Sequence, residues 1–381
     1  MRIVDLAAPT TPVAPATTRV AAPVSVVMPV LNEQRYLAQA VRHVLEQEYD
    51  GELEVVLAIG PSRDRTAAIA RRLAASDPRI TLVDNPAGRT PQALNAAIAA
   101  SRHEYVVRVD AHGLLPPGYL RDVVHLLETT GAANVGGMMR VEGETAFGHA
   151  VAAAMTSPLG IGGSKFHVGG RPGPARTVYL GAFRRDVLVE LGGFDEHYRR
   201  AQDWELNYRI RSAGHTVWFT PDLAVVYRPR RTFRALRRQF FTSGQWRRQI
   251  VEAHPDTASF RYLAAPVVTA LVGLGVLLGL GGLLGVALGV RPLGWLSLGL
   301  LLPLGYAAGV LGATALIGRG LGRRSRLLLP LVVMTMHLSW GAGFLRSVPR
   351  ADRRRASCAP PTPFSTGVVL PRLNSPPGRK H

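Results

Sequence analysis

Residues 105–112 read Tyr-Val-Val-Arg-Val-Asp-Ala-His, a run of strand-forming residues that leads directly into an acidic residue, Asp110. Four of the first five residues are aromatic or β-branched, which predicts a β-strand. Side chains alternate between the two faces of a strand, so we expect Asp110 and His112 on the same side of an extended chain. A carboxylate suits Mg²⁺ or Mn²⁺, and the imidazole favours Mn²⁺. The alternative interpretation of so short a pattern is a solvated turn.

Similar apolar runs occur upstream at a spacing typical of an α/β fold. Strands are predicted at 24–30, 53–59, 80–85 and 105–110, and helix-like stretches lie between them at about 33–47, 64–76 and 90–100. This alternation predicts a doubly wound, mostly parallel sheet. Such sheets bind ligands beyond the carboxyl ends of their strands. Asn32, Gly60 and Asp110 are therefore expected to line one crevice.

A second acidic motif lies at 200–209, where the chain reads Arg-Ala-Gln-Asp-Trp-Glu-Leu-Asn-Tyr-Arg. Asp203 stands where a polar loop gives way to a helix-patterned segment. Backbone N–H groups and the helix dipole keep a carboxylate ionised at such a position, which suits a general base. The alternative is an ordinary N-terminal cap followed by a Glu205–Arg209 pair one turn later.

Together and in this order, the two motifs resemble those of the inverting glycosyltransferases of family 2. These enzymes have a nucleotide-sugar-binding domain of the GT-A type, a D-x-D metal motif and a later E-D or Q-D catalytic aspartate. Further similar segments run from Val24 to Arg248: P-x-x-N-E at 29–33, S-x-D-x-T at 62–66, A-x-N ending at Asn95, and G-G-F-D-E at 192–196. Within the family, the chain most resembles the succinoglycan-type exopolysaccharide glycosyltransferases, through R-V-D-A-H at 108–112, G-A-F-R-R at 181–185, Q-D-W-E-L-N-Y-R at 202–209 and Gln239-Phe240 through Gly244-Gln245-Trp246-Arg247.

This resemblance implies roles for individual residues. Asp203 would be the catalytic base, and Asp110 with His112 would hold a divalent cofactor, Mn²⁺ or Mg²⁺. Donor contacts would come from Pro29, Val30, Glu33, Ser62, Asp64, Asn95 and Asp110. Contacts with the acceptor or the membrane interface would come from Gly181, Gln202, Glu205, Gln239, Trp246 and Arg247. Trp246 and Arg247 also resemble the Q-x-x-R-W element of processive synthases, with anchoring at the membrane interface as the alternative.

Two departures from the family pattern leave the ligands open. The usual D-D-G-S, whose aspartates help to hold uracil, is replaced by Ile59-Gly60-Pro61-Ser62, so the bound nucleotide is undetermined. The metal motif ends in His112 rather than aspartate, so the metal is undetermined as well.

Composition sets the domain boundaries. The 381 residues are enough for one domain of roughly 200–250 residues plus further elements, and we assign 23–227 to that domain. The single cysteine, Cys358, excludes an internal disulfide and a multi-cysteine metal site, and it is compatible with a reducing compartment. Residues 1–22 and 347–381 have the composition of disordered tails, and the start does not resemble a signal peptide. The glycine-rich stretch 160–173 predicts no regular structure, and it is either a mobile flap over the site or a plain surface loop.

Segment 228–262 is basic and amphipathic. Nine arginines occur between 228 and 261, and the apolar residues at 233, 236, 240 and 241 fall on one helical face. Such a segment suits an anionic membrane surface, although arginines with aromatic residues also describe RNA-binding segments. The apolar region that follows has no use in a nucleic-acid-binding protein, so we predict a membrane partner and no nucleic acid.

Region 263–346 is predicted to be transmembrane. Stretches 264–290 and 292–318 each contain 27 uncharged residues, more than the roughly 20 needed to cross a bilayer. A third candidate, 327–345, is weakened by Pro330, His337 and Ser339, and it either crosses or is re-entrant. The distribution of arginines predicts a multi-pass protein of the cell membrane with a cytoplasmic catalytic domain.

The resemblance and the apolar region together imply a function. We expect a membrane-bound inverting glycosyltransferase that moves a sugar, with glucose favoured, from a nucleotide sugar to a lipid-linked saccharide acceptor. The pathway implied is exopolysaccharide or cell-envelope glycan synthesis. The alternatives are a polyprenyl-phosphate or diacylglycerol acceptor, and a catalytically inactive membrane scaffold with the same fold.

Overall fold

The computed structural model describes residues 21–347, so the predicted tails at 1–22 and 347–381 lie outside it except for positions 21, 22 and 347. Within this range eight strands form one sheet: β1 (Val24–Val30), β2 (Leu53–Ile59), β3 (Ile80–Asp84), β4 (Tyr105–Arg108), β5 (Asn134–Val141), β6 (Gly173–Pro174), β7 (Tyr179–Arg184) and β8 (Val217–Tyr227). The helices around it are α1 (Leu37–Leu45), α2 (Thr66–Ser76), α3 (Thr90–Ala100), α4 (Tyr119–Thr130), α5 (Ala146–Met155), α6 (Pro158–Ile161), α7 (Lys165–Val168), α8 (Arg185–Glu190) and α9 (Gln202–Ser212).

The strand order is β3-β2-β1-β4-β7-β5-β8-β6. The first four strands are parallel, as the alternating pattern predicted, and their carboxyl ends lie at one edge of the sheet. Strand β7 runs antiparallel to both of its neighbours, β4 and β5, so the sheet is mixed but mostly parallel. The result is a GT-A-like fold, as the resemblance implied.

Strand β4 ends two residues earlier than predicted. The chain turns after Asp110, and the Gly113 N–H donates to the Asp110 carbonyl oxygen at 2.7 Å. The expectation that Asp110 and His112 follow each other in extended chain is therefore wrong. Asp110 and His112 lie in a turn instead, which was the alternative interpretation, so the alternation of side chains along a strand does not apply to them.

The core lies on both faces of the sheet because strand residues alternate between them. Val26 and Met28 of β1 face the cluster that contains α1 and α4, whereas Val27 faces the cluster that contains α3 and α9. All three side chains are at most 1% exposed. The helices thus cover both faces, and the carboxyl edge remains for ligands.

The C-terminal part consists of long helices: α10 (Phe233–Ala253), α11 (Phe260–Ala287), a 3₁₀ segment (Arg291–Leu300) that continues into α12 (Leu301–Ile317), and α13 (Arg323–Arg346). Three segments are long and apolar enough to cross a membrane, namely Phe260–Ala287, Arg291–Gly320 and Arg323–Arg346, with mean hydropathy 2.4, 1.9 and 1.5. They correspond to the three predicted spans.

Helix α13 packs on the protein as well as being apolar. In the most apolar 18-residue stretch of each segment, 44% is buried inside the protein for α13, compared with 17% and 11% for the other two. The predicted interfacial face of α10 does not remain free, because Leu236 and Phe240 pack in one cluster with Val333 and Met336 of α13. The expectation that this face meets lipid is corrected, since α13 and α5 cover it.

The glycine-rich stretch 160–173 contains regular structure, so the sequence-based expectation was wrong there. Ser157 caps α6 by accepting from the Leu159 N–H, and α7 follows after a turn at Gly162. Strand β6 pairs with β8. His167 of α7 is 9% exposed, so this part of the stretch is packed rather than a free surface loop.

Candidate functional site

The two predicted acidic residues meet through an arginine. Arg108, the last residue of β4, donates from Nε and Nη2 to Oδ1 of Asp110 at 3.2 and 3.0 Å. Its Nη1 donates to Oδ1 of Asp203. The Arg108 side chain is only 6% exposed, so the bridge is enclosed by protein. One guanidinium therefore fixes the metal-motif carboxylate and the proposed base relative to each other.

Asp203 is held differently from the expectation. It lies in the first turn of α9, after Ala201 turns the chain with a φ of 61°. No side chain caps this helix, and the hydrogen bond found at the Asp203 carboxyl comes from Arg108 rather than from backbone N–H groups. The Glu205–Arg209 pair of the alternative interpretation is also formed, as an i,i+4 ion pair at 2.7 Å.

The surroundings of Asp203 shift the pKa of its carboxyl in opposite directions. Burial raises the pKa of its carboxyl, the charge of Arg108 lowers that pKa, and Asp110 raises it again, with a net result above the ordinary aspartate value. Burial also lowers the pKa of Arg108, but the two aspartates raise it by more, so the guanidinium stays charged. The Asp203 side chain is 36% exposed and can be reached by an acceptor.

His112 has a partner other than Asp110. Its Nδ1 lies 2.9 Å from Oε1 of Glu33, and this contact raises the pKa of the imidazole. Both residues line a cavity of about 300 Å³, together with Tyr36, Tyr227, Arg228 and Arg230. His112, predicted to bind the metal, and Glu33, predicted to bind the sugar donor, therefore contact each other at the carboxyl edge of the sheet.

The residues at this edge are compatible with a divalent cation. No group of three His, Cys, Asp or Glu side chains within residues 21–347 is arranged to hold a metal alone. Mg²⁺, however, is commonly bound by one or two carboxylates together with substrate phosphates. Both Arg108 bonds to Asp110 go to Oδ1, so Arg108 does not use the second oxygen. The donor set therefore fits a cation shared with a diphosphate.

Ser62 and Asp64 shape the crevice by joining two loops. Oγ of Ser62 accepts from the Asn32 N–H at 3.0 Å, and Oδ2 of Asp64 accepts from the Gln34 N–H at 3.3 Å. Pro29 and Val30 form the end of β1 beneath these loops, and Val30 is only 1% exposed. These predicted donor residues lie together at the expected edge.

Asn95 lies farther along and holds a turn. Its Oδ1 accepts from the Phe194 N–H at 2.9 Å, and its Nδ2 donates to the Phe194 carbonyl oxygen at 2.8 Å. Arg209 donates to the carbonyl oxygens of Leu191 and Gly193 on the other side of the same turn. Hydrogen bonds from Asn95 of α3 and Arg209 of α9 therefore hold the turn at 192–196 in place. Whether Asn95 also touches the donor stays a prediction.

The predicted acceptor residues are spread over several environments. Gly181 is buried within β7, where an added Cβ would lie 2.4 Å from Oδ1 of Asn134. Gln202 is 9% exposed and adjoins Asp203. Gln239 donates to the Tyr227 hydroxyl and accepts from Arg230, each at 3.1 Å. Of these three, Gln202 lies nearest in sequence to the base.

Trp246 and Arg247 of α10 pack against the catalytic part of the chain. Trp246 is 4% exposed and contacts the rings of His197 and Tyr198. The Arg247 guanidinium carbon lies 4.2 Å from the Trp204 ring centre and 3.7 Å from that of Tyr262. Burial lowers the pKa of Arg247 to about 10, so it remains a cation at neutral pH.

Sequence reasoning missed three residues of this arrangement: Arg108, Trp204 and Tyr262. A signal existed for Arg108, since it precedes Asp110 by two positions and so shares its side of a strand. Trp204 follows the base directly, but its contact with Arg247 joins residues 43 positions apart in the sequence. Local patterns do not contain such a contact.

Comparisons with known proteins identify the family of the chain. The glycosyl transferase family 2 model matches residues 25–192. The chain is 32% identical over 334 residues to succinoglycan biosynthesis protein ExoA of Rhizobium meliloti, covering 87% of this chain and 96% of that protein. It is also 22% identical over 230 residues to a Methanococcus voltae dolichyl N-acetyl-alpha-D-glucosaminyl phosphate 3-beta-D-2,3-diacetamido-2,3-dideoxy-beta-D-glucuronosyltransferase, covering 58% and 71% of the two chains.

A solved structure has the same fold. The mannosyltransferase PcManGT from Pyrobaculum calidifontis, in complex with GDP-Man and Mn²⁺, superposes with a TM-score of 0.55 at 23% identity, covering 88% of this chain and 89% of its own. The family model, the long match to ExoA and the GT-A-like sheet all lead to one assignment. The chain belongs to glycosyltransferase family 2.

Proposed function

We propose that the protein is a membrane-bound inverting glycosyltransferase that transfers a sugar from a nucleotide sugar to a lipid-linked saccharide acceptor. The observation that carries the proposal is the accessible Asp203 carboxyl, fixed by Arg108 beside Asp110 at the carboxyl edge of the sheet. The similarity to a succinoglycan biosynthesis protein supports a role in exopolysaccharide or cell-envelope glycan synthesis. Glucose is the sugar that we expect.

In this proposal Asp203 acts as the general base. Its carboxylate takes the proton of the acceptor hydroxyl while that oxygen attacks the anomeric carbon of the donor sugar. The bond from that carbon to the diphosphate oxygen breaks in the same step. Because the attack comes from the face opposite the departing nucleotide, the anomeric configuration inverts. The raised pKa of Asp203 makes it a better proton acceptor than an ordinary aspartate.

Arg108 acts as a positioning residue. Its hydrogen bonds to Asp110 and Asp203 prevent the two carboxylates from moving apart, and its charge offsets their mutual repulsion. Rigid placement of a base contributes to rate because the reacting atoms need little further ordering. The geometry of the site therefore depends on a residue that need not touch the substrate.

The metal and donor assignments follow from the same edge of the sheet. Asp110, with His112 and Glu33 nearby, would hold Mn²⁺ or Mg²⁺, which when bound supplies positive charge to the departing nucleoside diphosphate. A solved mannosyltransferase of this fold was captured with GDP-Man and Mn²⁺, which supports this assignment. Pro29, Val30, Ser62 and Asp64 would shape the nucleotide part of the crevice.

We infer a multi-pass protein of the cell membrane with the catalytic domain on the cytoplasmic side. Support comes from three segments able to cross a membrane, from the arginines that precede the first of them, and from the arginines at 319–326 between the second and the third. Nucleotide sugars are available on that side. The dolichyl-linked substrate in the name of one relative supports an acceptor presented at the bilayer.

A donor screen tests the proposed function. Purified protein in nanodiscs is incubated with UDP-, GDP- and dTDP-sugars and Mn²⁺ or Mg²⁺, with and without a membrane lipid extract, and nucleotide release is measured. We expect release from one donor class that requires both metal and lipid extract. If the protein neither binds nor consumes any of these donors, the catalytically inactive scaffold replaces the proposal.

A further inference from the structure

Arg247 is a buried cation without a carboxylate partner in residues 21–347. It is 9% exposed, and its Nη1 has no hydrogen-bond partner. The rings of Trp204 and Tyr262 lie 4.2 and 3.7 Å from its guanidinium carbon and hold it in place. A buried donor that lacks a partner destabilises the folded protein, so each such group requires an explanation, and a bound ion or ligand is one of them.

Two more buried donors without a partner belong to the same group of side chains. They are Nε1 of Trp204 and Nε of Arg211. Trp204 stacks on Tyr208 with ring centres 5.8 Å apart, and Arg211 lies 5.8 Å from the Tyr208 ring. Ring contacts thus connect Arg247, Trp204 and Arg211, and all three unpaired atoms donate hydrogen bonds. An anion is the class of ligand that accepts hydrogen bonds from such donors.

The surrounding charge is also positive. Arg261 is close enough to lower the pKa of Arg247 by repulsion, and it makes no ion pair among residues 21–347. Asp256 is the carboxylate near Arg211, and its Oδ1 already accepts from the Tyr208 hydroxyl at 3.1 Å. The cluster, defined by Arg247, Arg261, Arg211, Trp204 and Tyr262, therefore has three guanidinium groups beside one carboxylate, and its net charge is positive.

The position of the cluster specifies the anion further. Trp204 directly follows the proposed base, Asp203, while Arg261 and Tyr262 lie in the first turn of α11. Beyond that turn α11 exposes leucines, including Leu271 and Leu277, as a lipid-facing helix does. The cluster therefore stands between the base and the start of an apolar span.

We propose that this cluster binds the phosphate groups of the lipid-linked acceptor, so that the lipid chain extends along α11 and the sugar hydroxyl reaches Asp203. The inference rests on the proposed function and adds the recognition site for the acceptor. Arginine suits the role because its planar guanidinium pairs with phosphate oxygens through two hydrogen bonds. The two flanking rings keep that plane fixed before the acceptor arrives.

Binding of geranylgeranyl diphosphate to the detergent-solubilised full-length protein tests the site, with geranylgeraniol and phosphatidylglycerol as comparison ligands. We expect the diphosphate to bind and the alcohol not to bind. Arg247→Gln should weaken binding about tenfold or more, the effect expected when a charge-assisted hydrogen bond is lost. Arg247→Lys should restore part of the affinity, because it returns the charge without the planar fork.

Two further variants keep the test independent of folding. Arg261→Gln alters an exposed side chain, so it should leave the fold intact and still weaken diphosphate binding. Arg238→Gln, at an exposed arginine of α10, the helix that also carries Arg247, should bind as the wild type does, because Arg238 makes no ring contact among residues 21–347. Unchanged binding by both Arg247→Gln and Arg261→Gln overturns the proposal. Equal affinity for phosphatidylglycerol also overturns it, because the cluster would then be a site for bulk anionic lipid.

Nucleotide-sugar binding by the same samples separates this inference from the proposed function. Diphosphate binding that depends on Arg247, together with nucleotide-sugar binding, supports both. If the wild type binds the diphosphate through Arg247 but no nucleotide sugar, the phosphate site stands and the transferase is refuted. If the wild type binds nucleotide sugar but no diphosphate, the transferase stands and the acceptor site is wrong.

Discussion

At the scale of single residues, Arg108 determines how the two aspartates are arranged. We expect Arg108→Gln to lower kcat about a hundredfold, because a base displaced by about 1 Å loses that much rate. Donor affinity should change less than kcat, since Asp110 is retained. Steady-state kinetics on the folded variant measure both constants.

A matched control for this variant exists on the neighbouring strand. Arg184 and Asp186 form the same i,i+2 pair at the end of β7, but both are exposed. Exposed pairs contribute little to stability, so Arg184→Gln should behave like the wild type. If Arg108→Gln keeps full turnover, Arg108 has no positioning role.

The pKa of Asp203 predicts a pH dependence. The base must be deprotonated, and burial raises its pKa above the ordinary aspartate value. Activity should therefore be complete above that raised pKa and be lost as the pH falls through it. Arg108 lowers this pKa, so Arg108→Gln should move the acidic limb of kcat/KM to higher pH. An acidic limb that stays in place in the variant contradicts the assignment.

The motifs predicted individual residues only in part. Both aspartates of the site were found because they belong to motifs shared with a family. The Arg108 bridge was not predicted, since an arginine in a strand usually faces solvent and the pattern does not show what lies opposite. Asn95 illustrates another limit, because its bonds to Phe194 join positions 99 residues apart.

At the scale of elements, a close approach at Gly343 holds α13 against α10. A Cβ added to Gly343 would lie 1.9 Å from the Phe241 carbonyl oxygen, so the helices must separate to accept it. We expect Gly343→Ala to destabilise the packing of α10 on α13 by about 1–3 kcal/mol. Thermal unfolding in detergent measures the effect.

Gly312 of α12 is the control position, since an added Cβ there meets nothing within 4 Å. Alanine favours a helix over glycine by about 1 kcal/mol, so Gly312→Ala should be neutral or stabilising. Equal effects at the two positions would show that α10 and α13 are not closely packed.

Element positions were predictable where local pattern determines them. Strands β1 and β2 begin and end at the predicted residues. Each is an apolar run, and the turn residues that flank it in the sequence mark both of its ends. The antiparallel β7 was not predicted, since strand direction depends on distant pairing. The helix that packs on the apolar face of α10 was not predicted either, because an apolar face has the same residue pattern whether it contacts lipid or another helix.

At the scale of the whole molecule, the arginine distribution predicts orientation. The turn at Arg291 should lie outside and the connection at Arg319 inside. In a Cys358→Ser background, an impermeant thiol reagent should label Arg291→Cys in intact cells. Arg319→Cys should react only after the membrane is opened. Labelling of both positions in intact cells contradicts two crossings by this hairpin.

Asp203→Asn tests the central claim most directly, with donor binding and sugar transfer measured on the same preparation. We predict that transfer falls at least about a hundredfold while donor affinity stays near the wild-type value, because the amide cannot take the acceptor proton. Asp186→Asn, the same change in the exposed Arg184–Asp186 pair, should retain transfer. Full turnover by Asp203→Asn, or a loss of donor binding equal to the loss of transfer, would contradict the role of Asp203 as the base.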